Sequence, residues 1–230
     1  MIQEQHFDDV AEVYDASLPA HVTEHYLAKR TKFVLETFPP PGRLLDVGCG
    51  TGVLAARLAA SGYETTGLDP SEGMLRLLRE RAPAVNAVQA SATDMPFGNG
   101  EFDLSVSVAT MHHIADPDSV RRALAEMVRV VRPGGTVIVW DHNPRSPYWP
   151  YLMKRVPQDR GDERLVGLDE LVDGLREGGG DEVAVQQLGL VPDFVPERLL
   201  RAAAAIERAA ERTPGLRRVL AHNVVVAVRR

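Results

Sequence analysis

Cysteine is almost missing from this 230-residue chain, where Cys49 stands alone. One thiol excludes an intramolecular disulfide framework and any site built from several cysteine ligands. It also favours a reducing, cytoplasmic setting. Lysine is scarce too, with Lys29, Lys32 and Lys154 making up only three of 26 basic residues. Against these stand 32 acidic residues, for a formal net charge of −6. No basic block interrupts that acidity, so the phosphate neutralisation that dominates nucleic-acid binding is weak. Nucleic acid is therefore not an expected partner. No apolar run approaches the ~20 residues of a membrane-spanning helix. The opening residues, Met1-Ile2-Gln3-Glu4-Gln5-His6, have neither the basic stretch nor the apolar core of a secretion signal. A membrane partner is not expected either. There is no internal repeat and no low-complexity segment, and Gly178-Gly179-Gly180 reads as a short break.

What remains is ordinary globular composition, 44% hydrophobic and 25% charged. At roughly 100–200 residues per domain, the length predicts one domain over 1–230. Residues 1–41 read as a helical cover, with Val10, Val13 and Tyr14 on one face and Tyr26, Leu27, Phe33, Val34 and Phe38 at helical spacing. Pro39-Pro40-Pro41-Gly42 ends that section, because proline cannot continue a helix.

A regular alternation follows across 42–142. Strands are predicted at Arg43–Val47, Glu64–Leu68, Val85–Gln89, Phe102–Val108 and Thr136–Trp140. Helices are predicted at Val53–Ala60, Ser71–Arg81 and Asp116–Val131. Such alternation implies parallel pairing, right-handed crossovers and a sheet covered on both faces. Residues 143–166 are irregular and proline-rich, a candidate lid. Residues 167–230 complete the sheet, with helices at Leu168–Glu177 and Arg198–Arg212 and strands at Val183–Leu190 and His222–Val228.

The strongest signal lies where the first strand meets the first crossover helix: Leu44-Leu45-Asp46-Val47-Gly48-Cys49-Gly50-Thr51-Gly52. Glycines there let the backbone turn tightly and approach a ligand. The following helix presents unpaired N–H groups. A dinucleotide loop needs Gly-x-Gly-x-x-Gly, but Val53 holds the third glycine's position, and no Gly-Lys-Ser/Thr completes a Walker loop. Asp46 would repel a pyrophosphate and suits a cation better, such as a ligand with an ammonium and a sulfonium. Asp69 follows Gly50 by 19 residues, at the end of the second strand, where a carboxylate can accept both hydroxyls of a ribose.

With these residues the sequence resembles the class I S-adenosylmethionine-dependent methyltransferases, in the small-molecule branch called methyltransferase type 11. The resemblance covers roughly residues 40–142, with an echo in 6–14. Its landmarks are the glycine loop; Asp69-Pro70-Ser71 followed by Met74; Asp94-Met95-Pro96-Phe97; Met111-His112-His113-Ile114; and Val131-Arg132-Pro133-Gly134-Gly135. It implies an α/β, Rossmann-like, doubly wound and mostly parallel seven-stranded sheet. Insertions are expected after strand five and before the last strand.

The resemblance also implies S-adenosyl-L-methionine as cofactor and S-adenosyl-L-homocysteine as product. Gly48, Gly50 and the Cys49 backbone would line the methionine moiety, and Asp46 would order the loop and face the ammonium. Asp69 would hold the ribose. Pro70 and Met74 would pack on adenine, with Ala92 and Thr93 at its edge; Ala109 and Tyr14 complete the expected cofactor contacts. Ser91 departs from the pattern, standing where the family often has an acidic residue, although its hydroxyl can accept one hydrogen bond.

Methyl transfer is an in-line displacement with a neutral leaving group, so positioning and desolvation carry much of it. It needs no metal, and no metal site is expected. A base is useful for a hydroxyl or amine acceptor. His112 is the first candidate, with Asp141 orienting its ring; His113 is the alternative. Related small-molecule O-methyltransferases place a histidine and an aspartate in these two places, hence a mild preference for oxygen as acceptor atom. Tyr26, Trp140, Tyr148, Trp149 and Tyr151 are candidate contacts for a flat or hydrophobic small-molecule acceptor.

Other readings are open to the same sequence. A protein methyltransferase is one, and a cofactor-binding regulator that transfers no methyl is another. A DNA amino-methylating enzyme would carry an Asp/Asn/Ser-Pro-Pro-Tyr/Phe signature after the fourth strand, where this chain has Ala109-Thr110-Met111-His112-His113.

Overall fold

The structure, a computed structural model, describes residues 2–114, 116–155 and 163–230. Two helices, α1 (Ile2–Tyr14) and α2 (Ala20–Thr37), precede the sheet. The alternating section follows as β1 (Arg43–Val47), α3 (Val53–Ala60), β2 (Glu64–Asp69), α4 (Glu72–Arg81), β3 (Asn86–Gln89), β4 (Phe102–Val108), α5 (Pro117–Val130) and β5 (Val131–His142). Then come α6 (Trp149–Leu152), α7 (Leu168–Glu177), β6 (Gly180–Leu188), α8 (Leu200–Arg212), α9 (Pro214–Arg217) and β7 (His222–Arg229). Among the described residues the strands form one seven-stranded sheet in the order β3-β2-β1-β4-β5-β7-β6. The first five strands pair in parallel, and β7 runs antiparallel to both β5 and β6.

Alternate strand residues sort onto the two faces, as a pleated strand dictates. Leu45, Val47, Val137 and Val139 face α5 and α7, meeting Val120, Leu124, Met127, Leu171 and Leu175. Leu44, Leu104, Ile138 and Trp140 face α2 and α3, meeting Leu27, Val34, Leu54 and Leu58. Truncating a fully buried side chain such as Leu124 to alanine costs about 2–5 kcal/mol. Helix starts are locally encoded. The Asp116 carboxylate accepts from Ser119 N and the Ser71 hydroxyl from Met74 N, the buried Ser71 cap contributing about 1 kcal/mol.

The predicted boundaries shift where pairing overrides the local pattern. β5 starts at Val131 rather than Thr136, because Val131 pairs with Phe102 before the Pro133-Gly134-Gly135 segment interrupts the register. It runs on past Trp140 because Asp141 and His142 pair with Asn223 and His222. β6 spans Gly180–Leu188 instead of Val183–Leu190. Part of the candidate lid, 156–162, lies outside the described residues; the described part holds α6.

α1 docks against α4, across the carboxyl end of β2. The Asp8 carboxylate accepts from the Ser71 hydroxyl (2.6 Å) and from Gly73 N (2.8 Å) at the start of α4. Glu12 pairs with Arg76, and Asp15, just past the helix, with Arg81.

Candidate active site

The carboxyl ends of β1, β4 and β5 lie side by side, so the segments leaving them converge above one edge of the sheet. The loop after β1 is held by its neighbour: Gly48 N and Cys49 N both donate to Leu68 O (2.8 and 3.1 Å). Gly50 N donates to Asp69 Oδ2 (2.9 Å). Gly48 has φ +70, and a Cβ there would fall 2.3 Å from Thr110 Cγ2. Gly50 has φ +52, and its missing side chain faces open space. The loop is thus packed hard on one side and bare on the other.

Asp46 was expected to order this loop, and it does not: the loop amides are taken by Leu68 and Asp69. Asp46 is buried, and its Oδ2 has no hydrogen-bond partner. Burial, followed by repulsion from Asp69, raises its pKa to about 7, with Arg30 pulling the other way. Asp69 is also raised by burial, to about 6, although the amides of Ser71 and Gly50 favour its ionised form. The Cys49 thiol is pushed well up by burial and by both carboxylates, the reverse of what a nucleophile requires.

Two compartments open from this loop. The β2-side compartment, about 320 Å³, is lined by Asp69, Pro70, Met74, Ser91, Ala92 and Thr93, with Phe7 and Tyr14 from the α1 side. The Ser91 hydroxyl bonds to the Thr93 hydroxyl (2.9 Å) and accepts from Thr93 N (3.2 Å). The β5-side compartment, about 230 Å³, is lined by Asp46, Cys49, Tyr26, His112, Tyr148 and Trp149 among others. Tyr14, Gly48, Gly50, Val108, Ala109 and His113 border both. Ala109 takes φ 54, a left-handed conformation unusual outside glycine, and it stands on this shared boundary.

His112 lies at the inner wall of the β5-side compartment. Its Nδ1 is 2.7 Å from Asp141 Oδ1. Asp141 is fully buried and also accepts from Met111 N and His142 N, both at 2.6 Å. With Nδ1–H donating to that carboxylate, Nε2 is the basic nitrogen of the ring. The His112 ring stacks on His142 (4.0 Å, 19°), which stacks in turn on Trp149 (3.5 Å, 4°). His113 leans on the other side of His112 (4.0 Å, 44°). Burial, followed by the neighbouring charge on His112, pushes the pKa of His113 and of His142 well down. Both rings are therefore neutral near pH 7.

His112, Asp141 and His142 have ligand atoms within 4.8 Å of one another. The two rings are nearly parallel, so their nitrogens do not converge on one point. The Asp141 oxygens are also committed to three donors. This arrangement suits proton handling rather than metal ligation.

Two predicted acceptor contacts fall away from the compartment. Trp140 is 1% exposed and belongs to the core against Phe33, because its strand position faces α2. Tyr151 is 52% exposed, on the outer side of α6 with the Arg155 guanidinium over its ring. Tyr26 and Tyr148 do line the compartment, and their hydroxyls anchor one turn. Tyr26 donates to Val191 O (2.9 Å), and Tyr148 donates to Asp193 Oδ1 (3.0 Å).

Sequence reasoning passed over Arg30, His222 and Glu207, and placed His142 at the end of the fifth strand without giving it a role. Arg30 is the one Arg or Lys among the lining residues of the β5-side compartment, its Nε without a hydrogen-bond partner. Burial lowers its pKa, opposed by Tyr26, Tyr14, Asp141 and Asp46. The available signal was a charge four residues after Tyr26, on the apolar face of a helix. Glu207 of α8 is buried and accepts from His25 (2.9 Å), Lys29, Leu190 N (2.7 Å) and Val191 N (3.2 Å). Burial would raise its pKa, but those donors bring it down to about 2. It thereby clamps the 189–191 turn onto α2.

Residues 45–139 match the methyltransferase type 11 family, described as a methyltransferase domain. A demethylmenaquinone methyltransferase of Renibacterium salmoninarum is 33% identical over 158 residues, or 66% of this chain and 65% of that protein. The chain thus spans somewhat less than two thirds of that relative's length. Among solved structures, a possible histamine N-methyltransferase from Thermotoga maritima superposes with a TM-score of 0.70 at 22% identity, covering 99% of this chain and 100% of the other. A phosphoethanolamine N-methyltransferase of Haemonchus contortus, solved with phosphomonomethylethanolamine and S-adenosylhomocysteine, gives 0.63 at 20% identity, covering 87% and 52%.

Proposed function

We propose that this chain is a class I S-adenosylmethionine-dependent methyltransferase, as its match to that domain family and its relatives support, and that it transfers a methyl group to a small aromatic acceptor oxygen held beside His112. The cofactor is S-adenosyl-L-methionine, and its bound form supplies an electrophilic methyl on a neutral, good leaving group. The residues present fit it. Asp46 Oδ2, buried and without a partner, offers a counter-charge to an ammonium. Asp69 keeps lone pairs for two ribose hydroxyls beyond its two amide contacts. The bare side of Gly50 leaves room for close approach.

One observation carries the acceptor reading: His112, held by the fully buried Asp141, lines the β5-side compartment next to His113, which borders both compartments. Asp141 fixes the tautomer, and His112 Nε2 accepts the acceptor's proton as the methyl transfers. The rings of Trp149, His142 and Tyr148 suit a flat acceptor, and Arg30 stabilises the oxyanion that deprotonation creates. The relative's name gives it demethylmenaquinone as acceptor, a flat ring like the acceptor proposed here.

Calorimetry with S-adenosylhomocysteine and NAD, followed by a methyl-uptake screen over phenols, hydroquinones, amines and carboxylates, tests the reading. The expectation is tight binding of the sulfur compound, none of NAD, and uptake by a hydroxyl acceptor. His112→Ala should lower kcat by ~10²–10⁴-fold with product affinity unchanged. Wild-type turnover in that variant would remove the base; binding without methyl uptake by any acceptor would favour a non-methylating protein.

A further inference from the structure

The described residues expose nine large hydrophobic side chains, and six of them fall within 190–219: Leu190, Phe194, Leu199, Ile206, Leu216 and Val219. Phe194 is 64%, Leu199 51% and Ile206 62% exposed. Scattered apolar side chains need no explanation, but a concentration in one segment marks an interaction face. On α8 and the turn before it, Leu199, Ala202, Ile206 and Ala209 follow helical spacing along one exposed stripe. Arg201, Arg208 and Arg212 follow the same spacing along the exposed stripe beside it. The third face is buried and carries Ala204, Glu207 and Ala210. α9 packs against α8 and adds exposed Arg217 and Arg218 beside Leu216 and Val219.

Charge identifies the occupant. The chain as a whole carries −6, yet this face is basic. Arg198, Arg201, Arg208, Arg212, Arg217 and Arg218 are all exposed. Of the acids in the same stretch, Asp193 is buried against Tyr148, Glu207 is buried against His25 and Lys29, and Glu211 is turned to Lys29 and Gly189 N, which leaves Glu197 as the exposed one. An isologous dimer through this face would set arginine against arginine. A surface that is both apolar and anionic matches it instead.

We propose that this face, built from α8, α9 and the 190–199 turn, docks peripherally on an anionic lipid bilayer. The apolar stripe would enter the interface while the arginines meet lipid phosphates. The face borders the β5-side compartment, since Leu190 and Phe194 flank Val191 and Asp193, which line it. Docking would therefore present that compartment's rim to the membrane.

Co-sedimentation with phosphatidylcholine vesicles, with and without phosphatidylglycerol, tests this without any turnover, so its outcome is separate from that of the methyl-transfer reading. Binding should appear on the anionic vesicles and fall steeply with salt. At roughly fivefold per basic residue near the surface, Arg201→Ser/Arg208→Ser/Arg212→Ser should weaken it by about 100-fold. Leu199→Asp/Ile206→Asp should abolish it with an unchanged melting temperature, both side chains being exposed. No binding at low salt, or equal binding to both vesicle types, overturns the proposal. So does a dimer in sedimentation that Ile206→Asp dissociates.

Discussion

The two compartments of the cleft are assembled in opposite ways. The β2-side walls come from short runs at strand ends, Leu68–Pro70 and Ser91–Thr93, with Gly48 and Gly50 beside them. Their polar groups include the Asp69 and Asp116 carboxylates, the Ser91 and Thr93 hydroxyls and the loop amides. The β5-side walls are gathered from far apart: Tyr26 and Arg30 on α2, His112 after β4, Trp149 on α6, and Asp193 and His222 near the C-terminus. Their contacts join side chains from distant segments, His112 on Asp141 and Tyr148 on Asp193, with Tyr26 reaching the Val191 carbonyl. A pocket read from contiguous backbone serves a common ligand, whereas one drawn together by tertiary packing can be retuned residue by residue. That division matches the adenosyl end of a shared methyl donor on the β2 side and a particular acceptor on the β5 side, where Asp46 also stands ready for the donor's ammonium.

The sharpest break should come at Asp141. Asp141→Ala strips the acceptor from three buried donors and should destabilise the fold by about 3–5 kcal/mol in denaturant unfolding. Asp141→Asn keeps the shape and should retain more stability while kcat still falls. On the other side, Asp69→Ala should weaken S-adenosylhomocysteine binding by roughly 30- to 100-fold in calorimetry, the loss expected for hydrogen bonds to a charged group. If Asp69→Ala spared that affinity, the assignment of the β2 side to the donor would fail.

Two smaller effects refine the boundary. The pKa of Asp46, raised to about 7 by burial, means the unliganded carboxyl is half protonated near neutrality. A cationic ligand must expel that proton, so affinity should rise with pH up to about pH 7, by at most tenfold per unit, and level off above. Asp46→Asn should flatten the profile. In the unliganded protein the sign is opposite: a raised acid pKa favours the folded state below pH ~4, and that gain is lost as pH climbs through 7. Last, Arg30→Met should raise the acceptor KM by roughly tenfold and leave product affinity within twofold. A fall in product affinity instead would give Arg30 to the donor.

The fold was legible because its signals are local. Arg43–Val47, Val53–Ala60, Phe102–Val108 and Leu168–Glu177 form at their predicted bounds, since apolar period and flanking glycine or proline agree there. The ends of β5 were hidden, because Val131 and His142 join the strand only through partners 29 and 80 residues away. In the site, strand-end motifs put Asp69 and the glycines where the loop turns, and adjacent strand ends bring His112 to Asp141. Arg30 and His222 were invisible for a different reason. Nothing near them in sequence reports that α2 and β7 bring them to one compartment. Trp140 misled because an aromatic at a strand end was read as facing the ligand, whereas the pleat turns it to the core.

α1 has a consequence for timing. It rests over the β2-side compartment with Phe7 and Tyr14 in its walls, and it is fastened largely by charge: Asp8 to the start of α4, Glu12 to Arg76, Asp15 to Arg81. Such exposed pairs are screened over ~8 Å at physiological ionic strength. Salt therefore becomes a control on residence time. Raising it should shorten the dwell of spent S-adenosylhomocysteine, and wherever that departure limits the cycle, turnover should quicken before the fold gives way.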